Sequence, residues 1–300
     1  MREKADILAV EQPMEDTMKR PEAGRTNRFA ALALSGTLGL AVVPALSPLG
    51  DPVVAMVGGA VNAAGGVGSS VVMILGSYGS DATVCTATAI ARDLLLTAAH
   101  CVQPGADYKL VDSAPGHEPV LKDIARIERD PQFDLKRLFA HLATADVALI
   151  RLAEPLPPHI PPMPLAGDGT NVAVGDRLVV AGYGVTVRGD GRTGGTVRAA
   201  TLVVTGVPGT LQIRLFDPNT KGQSPGLGAC AGDSGAPALR DTAGKLAIIG
   251  VVSWSTGPKL TTGCGGLTGI TPLVRYRAWI AETARALGSP LPQSPVGGDN

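Results

Sequence analysis

From Val71 onward the apolar residues fall in short runs between turn formers rather than in long periodic blocks: Val71 to Leu75, Val84 to Ile90, Leu94 to Leu96, Val120 to Ile127, Val147 to Leu152, Leu178 to Ala181, Val197 to Val204, Leu211 to Leu215 and Leu246 to Val252. Runs of this length and spacing predict strands, nine or more of them. Leu211, Ile213 and Leu215 alternate with Gln212 and Arg214, the period of a strand with one face buried. A helical period occurs over Pro272 to Leu287, with Pro272 at its start, Leu273, Tyr276, Ile280, Ala284 and Leu287 three or four apart, and Gly288 just past its end. Six of the ten residues from Pro155 to Pro164 are proline, so that segment can neither join a sheet nor continue a helix. It predicts an extended connector and a boundary inside the fold.

Composition sharpens this picture toward an all-β fold. Gly (39) and Pro (24) are abundant while aromatic residues make up 3% of the chain, a balance suited to short aliphatic strands and tight turns. With 45% hydrophobic and 17% charged residues the bulk of the chain is not disordered. Twenty-six basic and 26 acidic side chains cancel, which leaves no electrostatic footprint for nucleic acid or an anionic membrane.

The N-terminal region reads as export machinery. The 15 residues from Phe29 to Val43 are apolar, follow Lys19, Arg20, Arg25 and Arg28, and end at Pro44. That is the order of a cleavable signal peptide, and the stretch is shorter than the roughly 20 residues a membrane span requires. No stable membrane anchor is expected. Residues 1–17 are acidic, which places the expected start at Met18, and Val43-Pro44-Ala45 offers a small-x-small cleavage site. The four cysteines, Cys85, Cys101, Cys230 and Cys264, form no C-x-x-C metal knuckle and suit disulfides in a secreted or periplasmic protein. They can pair in three ways. The sequential pairing would close loops of 16 and 34 steps, each worth roughly 3 to 4 kcal/mol on a chain-entropy argument.

Three segments carry candidate chemistry. Gly232-Asp233-Ser234-Gly235 sets a serine between two glycines, letting the backbone turn sharply, expose the hydroxyl and aim successive N–H groups at one point. A turn serine in a Gly-rich loop is the plainer reading of this tetrapeptide alone. Thr97-Ala98-Ala99-His100-Cys101 offers the base a hydroxyl needs at neutral pH; His117, His141 and His159 lie in polar or Pro-rich surroundings and read as loop residues. Asp146 opens the run Asp146-Val147-Ala148-Leu149-Ile150, where a strand-capping role would be the ordinary one.

Together, the order His100, Asp146, Ser234 and the surrounding T-A-A-H-C, D-V-A-L-I and C-A-G-D-S-G-A-P motifs resemble the chymotrypsin/trypsin-like serine protease family. Ala236 stands where that family has a final glycine and adds one methyl group beside the loop. Ala181-Gly182-Tyr183-Gly184 is similar to the family's G-W-G turn, Ser253-Trp254-Ser255 to its substrate-pairing strand, and Met56-Val57-Gly58-Gly59 to its mature start. The resemblance covers residues 56 to 287. It implies two six-stranded antiparallel β-barrels with a C-terminal helix, joined near residues 155–170, after an extension over 1–55 and before a tail at 288–300.

The same resemblance implies Ser234 as nucleophile, His100 as base and then acid, Asp146 orienting the imidazole, and an oxyanion hole from the N–H groups of Gly232 and Ser234. It pairs Cys85 with Cys101. The specificity pocket would have Gly228 at its base, with Ser255 and Thr268 as walls, so that residues after which the chain cuts are small or medium and apolar rather than Arg or Lys. A new N-terminus at Met56 would pair with Asp233. The implied protein is a monomeric secreted endopeptidase acting on polypeptides, with no cofactor or metal. The 13 residues after the helix are too few for an added peptide-binding module, and no phosphate-binding G-x-x-x-x-G-K-[ST] run occurs. A competing class is a catalytically silent homologue that binds proteins through the same barrels.

Overall fold

A computed structural model describes residues 56–292 apart from 64, 114–117, 141 and 168–169. The signal peptide, the cleavage site, His117 and His141 lie outside the described residues. Six strands, β2 (Val71–Tyr78), β3 (Asp81–Ala91), β4 (Leu94–Thr97), β5 (Asp107–Asp112), β6 (Val120–Arg129) and β7 (Ala148–Leu152), close a first antiparallel barrel in the order β2-β3-β4-β7-β6-β5. A second barrel is closed by β8 (Arg177–Gly182), β9 (Arg198–Thr205), β10 (Ile213–Phe216), β11 (Pro237–Thr242), β12 (Lys245–Ser255) and β13 (Leu267–Pro272). The two-residue strand β1 (Val61–Asn62) adds to the edge of β9. The two six-stranded barrels implied by the resemblance are present.

The apolar runs lack alternation where a strand is buried on both faces. In β4, Leu95 points into the first barrel with Ile74, Leu110 and Ile150, whereas Leu94 and Leu96 point outward into a second cluster with Leu239, Ile248 and Val251. That second cluster is the seam between the barrels, and it leaves no face of β4 to water. β7 is built the same way, with Ile150 inward and Leu149 in the seam. The proline-rich connector crosses between the barrels and anchors itself by Leu156, Ile160 and Met163, all buried. Its backbone contributes Met163 N–H to Ala89 and accepts Ile248 N–H at Pro164.

Three local expectations are corrected. Leu211 lies before β10 and is 39% exposed, so the alternating face begins at Ile213 rather than at Leu211. Pro272 ends β13 instead of opening a helix; a 3₁₀ turn over Leu273–Arg275 follows, and the helix α2 runs Arg277–Ala286. The periodic residues Leu273, Tyr276, Ile280 and Ala284 are buried in the seam nonetheless, because a 3₁₀ turn followed by a helix keeps them on one face. Gly288, at φ +74, closes α2 with its own N–H on Arg285 and that of Ser289 on Ala284. The start of the expected tail is docked: Ser289 is buried and its hydroxyl donates to Asp93. Strands β5, β11 and β13 and the short helix α1 (Leu135–Phe139) were not legible as apolar runs.

Gly235 marks the closest approach of the barrels near the site. It sits at φ +81, and a Cβ there would lie 2.1 Å from Thr97 Oγ1 and 2.2 Å from the Thr86 carbonyl oxygen. Gly244 has the same φ of +81 in a hairpin turn with open space around it. Gly235→Ala is therefore expected to cost more than about 3 kcal/mol and Gly244→Ala about 1 kcal/mol, measured by denaturant unfolding. Equal losses would mean that backbone conformation, not the seam, sets the requirement.

Candidate active site

The imidazole is positioned by one carboxylate. His100 lies in a 3₁₀ turn (Ala99–Cys101) that follows β4, with Ala98 and Ala99 fully buried beneath it. Its backbone N–H donates to Asp146 Oδ1 (2.9 Å), and its Nδ1 is 2.7 Å from Asp146 Oδ2. Asp146 has no solvent exposure and also accepts the Ser253 hydroxyl on Oδ2 (2.5 Å). A carboxylate only accepts, so Nδ1 carries the hydrogen and Nε2 keeps its lone pair. The ring is held in the tautomer and orientation of a base, with Nε2 3.9 Å from Cys101 Sγ.

Ser234 is placed by its backbone. Its carbonyl accepts the Thr86 N–H (2.8 Å), and Thr86 follows Cys85, whose disulfide to Cys101 reaches the residue beside His100. Among the described residues the Ser234 hydroxyl makes no hydrogen bond, to His100 or elsewhere. The Ser234 and His100 side chains are thus not in hydrogen-bond contact, as is common for a serine–histidine pair before substrate is bound.

Two successive odd-numbered peptides of this loop are turned by their carbonyls, those of Ala231 and Asp233. The Ala231 carbonyl accepts from Val185 N–H (2.9 Å) and the Asp233 carbonyl from Ala236 N–H (2.9 Å). In a trans peptide the N–H points opposite to the C=O, so the N–H groups of Gly232 and Ser234 are turned the other way, and neither donates to a protein acceptor among the described residues. Gly232 adopts φ +94, where a Cβ would come within 3.0 Å of Gly184 Cα. This is an arrangement that can receive developing negative charge on an oxygen.

Asp233 is fully buried behind the loop. Oδ1 accepts Gly184 N–H (2.9 Å) and Oδ2 accepts Cys230 N–H (2.9 Å). The carboxyl packs so closely against the 182–184 turn that a Cβ at Gly182 would lie 2.2 Å from Oδ1 and one at Gly184 2.3 Å from Oδ2. That is the physical reason for both glycines. No cation pairs with Asp233 among the described residues. Burial pushes its carboxyl up to about 7 from an ordinary 3.8, against the opposing pull of its two N–H donors. Met56 is fully buried in the second barrel core, and Val57 bridges to Gly228.

The candidate pocket residues are contiguous. A Cβ on Gly228 would lie 3.5 Å from Thr268 Oγ1, Ser255 and Thr268 are register partners in β12 and β13, and Thr268 is buried with its hydroxyl accepting Ala229 N–H (3.0 Å). The buried carboxylate of Asp217 is occupied by the N–H groups of Asn219 and Leu227. Trp254 lies over Gly269, where a Cβ would be 1.9 Å from the indole. β11 stops pairing with β12 at Val251, so Ser253 to Ser255 keep a free backbone edge. Sequence reading missed the Ser253 hydroxyl on Asp146 and the role of Thr86, since both link residues more than 100 positions apart. Cys85, His100 and Cys101 bring possible metal donors together, but both sulfurs are spent in the Cys85–Cys101 disulfide and offer no thiolate. The second disulfide joins Cys230 to Cys264.

A family model described as Trypsin matches residues 56–280. The chain belongs to the trypsin family. It is 26% identical to Kallikrein-11 of Homo sapiens over 211 residues, 67% of this chain and 72% of the kallikrein. It is 27% identical to a vitellin-degrading protease of Bombyx mori over 212 residues, 66% of this chain and 75% of that protein. Trypsin-family proteins are serine proteases that act on polypeptides. No helix among the described residues is long and apolar enough to cross a membrane.

The buried Asp233 gives this trypsin-family chain a pH signature. Between about pH 4 and pH 7 the unfolded chain has released the proton that folded Asp233 still holds, so stability falls as pH rises through that window and levels off above it. Urea midpoints of the chain with the Ala55–Met56 bond intact should show this slope, and Asp233→Asn should flatten it. An unchanged slope in the variant would mean that other groups carry it.

Proposed function

We propose that the protein is a secreted serine endopeptidase that hydrolyses peptide bonds through an acyl-enzyme on Ser234. The observation that carries this is the His100–Asp146 pair, tied through the Cys85–Cys101 disulfide and Thr86 to a loop whose Gly232 and Ser234 N–H groups are both unspent. In the proposed reaction Ser234 Oγ bonds to the scissile carbonyl carbon as its proton passes to His100 Nε2. The carbonyl oxygen, now negative, takes the two N–H donors. His100 then gives the proton to the departing amine as the C–N bond breaks, and a water, deprotonated by the same nitrogen, releases the acid and restores Ser234. Asp146 holds the imidazole and stabilises its charged form throughout.

The free edge of Ser253 to Ser255 suits an extended substrate strand, and the cleft of about 390 Å³ beside Trp254 and Ser255 suits the side chains it presents. A specificity pocket with Gly228 at its base and Ser255 and Thr268 as walls, distinct from that cleft, would favour small or medium apolar residues and offer no partner for a buried Arg or Lys. In this reading residues 1–55 are a leader and propeptide, 56–287 the monomeric protease domain and 288–300 a tail. Two disulfides support life outside the cytoplasm. Cutting before Met56 frees an ammonium beside Val57, which bridges to Gly228, and Asp233 is the buried carboxylate it would pair with. The unmade Ser234–His100 hydrogen bond favours one competing reading, a silent homologue that only binds proteins.

Processed protein should give an acyl-enzyme burst with an activated ester and label at Ser234 with a fluorophosphonate, both abolished by Ser234→Ala. A folded, processed sample that takes no label would establish the silent homologue. A peptide-library profile should be dominated by apolar residues before the cut, and dominance of Arg or Lys would remove the pocket assignment. Protein starting at Met56 should turn over faster than protein with two extra N-terminal residues, and equal rates would remove the ammonium switch.

A further inference from the structure

The hydroxyl of Thr86 has no part in the proton transfers, yet it is fully buried at the point where the first barrel meets the candidate oxyanion loop. Tyr183 N–H donates to Thr86 Oγ1 (3.1 Å), and Oγ1 donates to the Gly232 carbonyl (2.8 Å). A backbone N–H can only donate and a carbonyl can only accept, so the direction of this relay is settled by its two ends. The Thr86 N–H meanwhile holds the Ser234 carbonyl (2.8 Å), and the Thr86 carbonyl accepts the Thr97 hydroxyl (2.8 Å).

We propose that Thr86 is a positioning residue for the oxyanion hole, its hydroxyl locking the Gly232–Asp233 peptide so that the Gly232 and Ser234 N–H groups converge on one oxygen. The proposal rests on the reading of Ser234 as nucleophile. Gly232, at φ +94 and without a Cβ, is the joint about which this loop can swing. The peptide before it is held by Val185 N–H and the one after Asp233 by Ala236 N–H. The peptide between them is held at its N–H end by the Cys230 carbonyl and at its C=O end, among the described residues, by Thr86 alone. Thr86 comes from β3 in the first barrel, whereas Tyr183 and Gly232 belong to the second. The hole is therefore completed only when the barrels dock, by the same strand whose Cys85 is tied to the residue beside His100.

The test compares processed parent, Thr86→Val, Thr86→Ala and Thr86→Ser. Valine keeps the volume and removes the hydroxyl, alanine removes it without filling the space should valine not fold, and serine restores the relay. Thr86→Val and Thr86→Ala should lower kcat about 10- to 100-fold with KM within about threefold, short of the roughly 10²–10³ lost with an entire oxyanion donor. Affinity for a peptide boronate, which places a tetrahedral oxygen in the hole, should fall by a similar factor while product-peptide affinity holds; Thr86→Ser should recover both. Hydrogen exchange at the protected amides of Asp233, Gly235 and Ala236 should quicken in the valine and alanine variants and not in the serine one. Parental kcat and boronate affinity in a variant without the hydroxyl would overturn the proposal. If the parent neither hydrolyses peptides nor labels at Ser234, the protease reading falls. Exchange then decides the clasp: faster exchange without the hydroxyl supports it and unchanged exchange overturns it.

Discussion

Two backbone N–H groups stay turned away from protein acceptors only if the peptides that bear them are held by their carbonyl ends. In the loop from Cys230 to Ala236 the holding donors come from the loop itself and from distant parts of the chain. Val185 holds the Ala231 carbonyl, Thr86 holds the carbonyls of Gly232 and Ser234, and Gly184 with Cys230 holds the Asp233 carboxyl. The bonds to the Asp233 carboxyl are buried and the Thr86 bond to the Gly232 carbonyl is half-buried, where an unmade one would cost about 1–3 kcal/mol, so the loop has few alternatives to its observed course. The N–H groups of Gly232 and Ser234 are left without protein acceptors among the described residues.

Such dense pairing needs close approach, and close approach selects small residues. Gly182 and Gly184 admit the Asp233 carboxyl, and Gly235 admits Thr97, Thr86 and the backbone of Ala98. Ala236, the departure from the family motif, fits the same logic. Its methyl is fully buried in the second barrel core, while its N–H and carbonyl bond Asp233 and Val252 as backbone groups that do not depend on the side chain. The extra methyl fills space in the core and leaves the loop's hydrogen bonds intact.

The seam between the barrels joins the half that carries His100 and Asp146 to the half that carries Ser234. His100 and Asp146 flank β4 and β7, whose outward leucines, Leu94, Leu96 and Leu149, pack against Leu239, Ile248 and Val251 of the second barrel. The C-terminal helix covers the same cluster with Tyr276, Ile280 and Ala284. Hydrophobic burial thus sets the distance between the two halves, and the polar contacts of Thr86 and Ser253 set their alignment. The Ser253 bond to Asp146 is the counterpart of the Thr86 bond to Gly232: each sends a hydroxyl from one barrel to a functional group carried by the other.

Local physics made much of this legible in the linear chain. Strand formation in runs such as Val71 to Leu75 or Leu246 to Val252 follows from short apolar stretches between turn formers, and the proline-rich connector follows from missing N–H donors. The motifs around His100, Asp146 and Ser234 were enough to suggest a family, hence a fold that periodicity alone would not have revealed. Strands β5 and β13 escaped notice because their burial comes from neighbours rather than from an uninterrupted apolar run, and Pro272 misled because a residue suited to opening a helix also suits the end of a strand. The sequence by itself determined most of the strand-forming segments and which residue types could do chemistry. Only the tertiary structure decided which hydroxyl holds which carbonyl, which carboxylate lacks a cation and which N–H groups stay unspent, because hydrogen-bond partners 97, 107 and 146 residues apart leave no trace in local patterns. They become neighbours only when two barrels bury a common apolar seam.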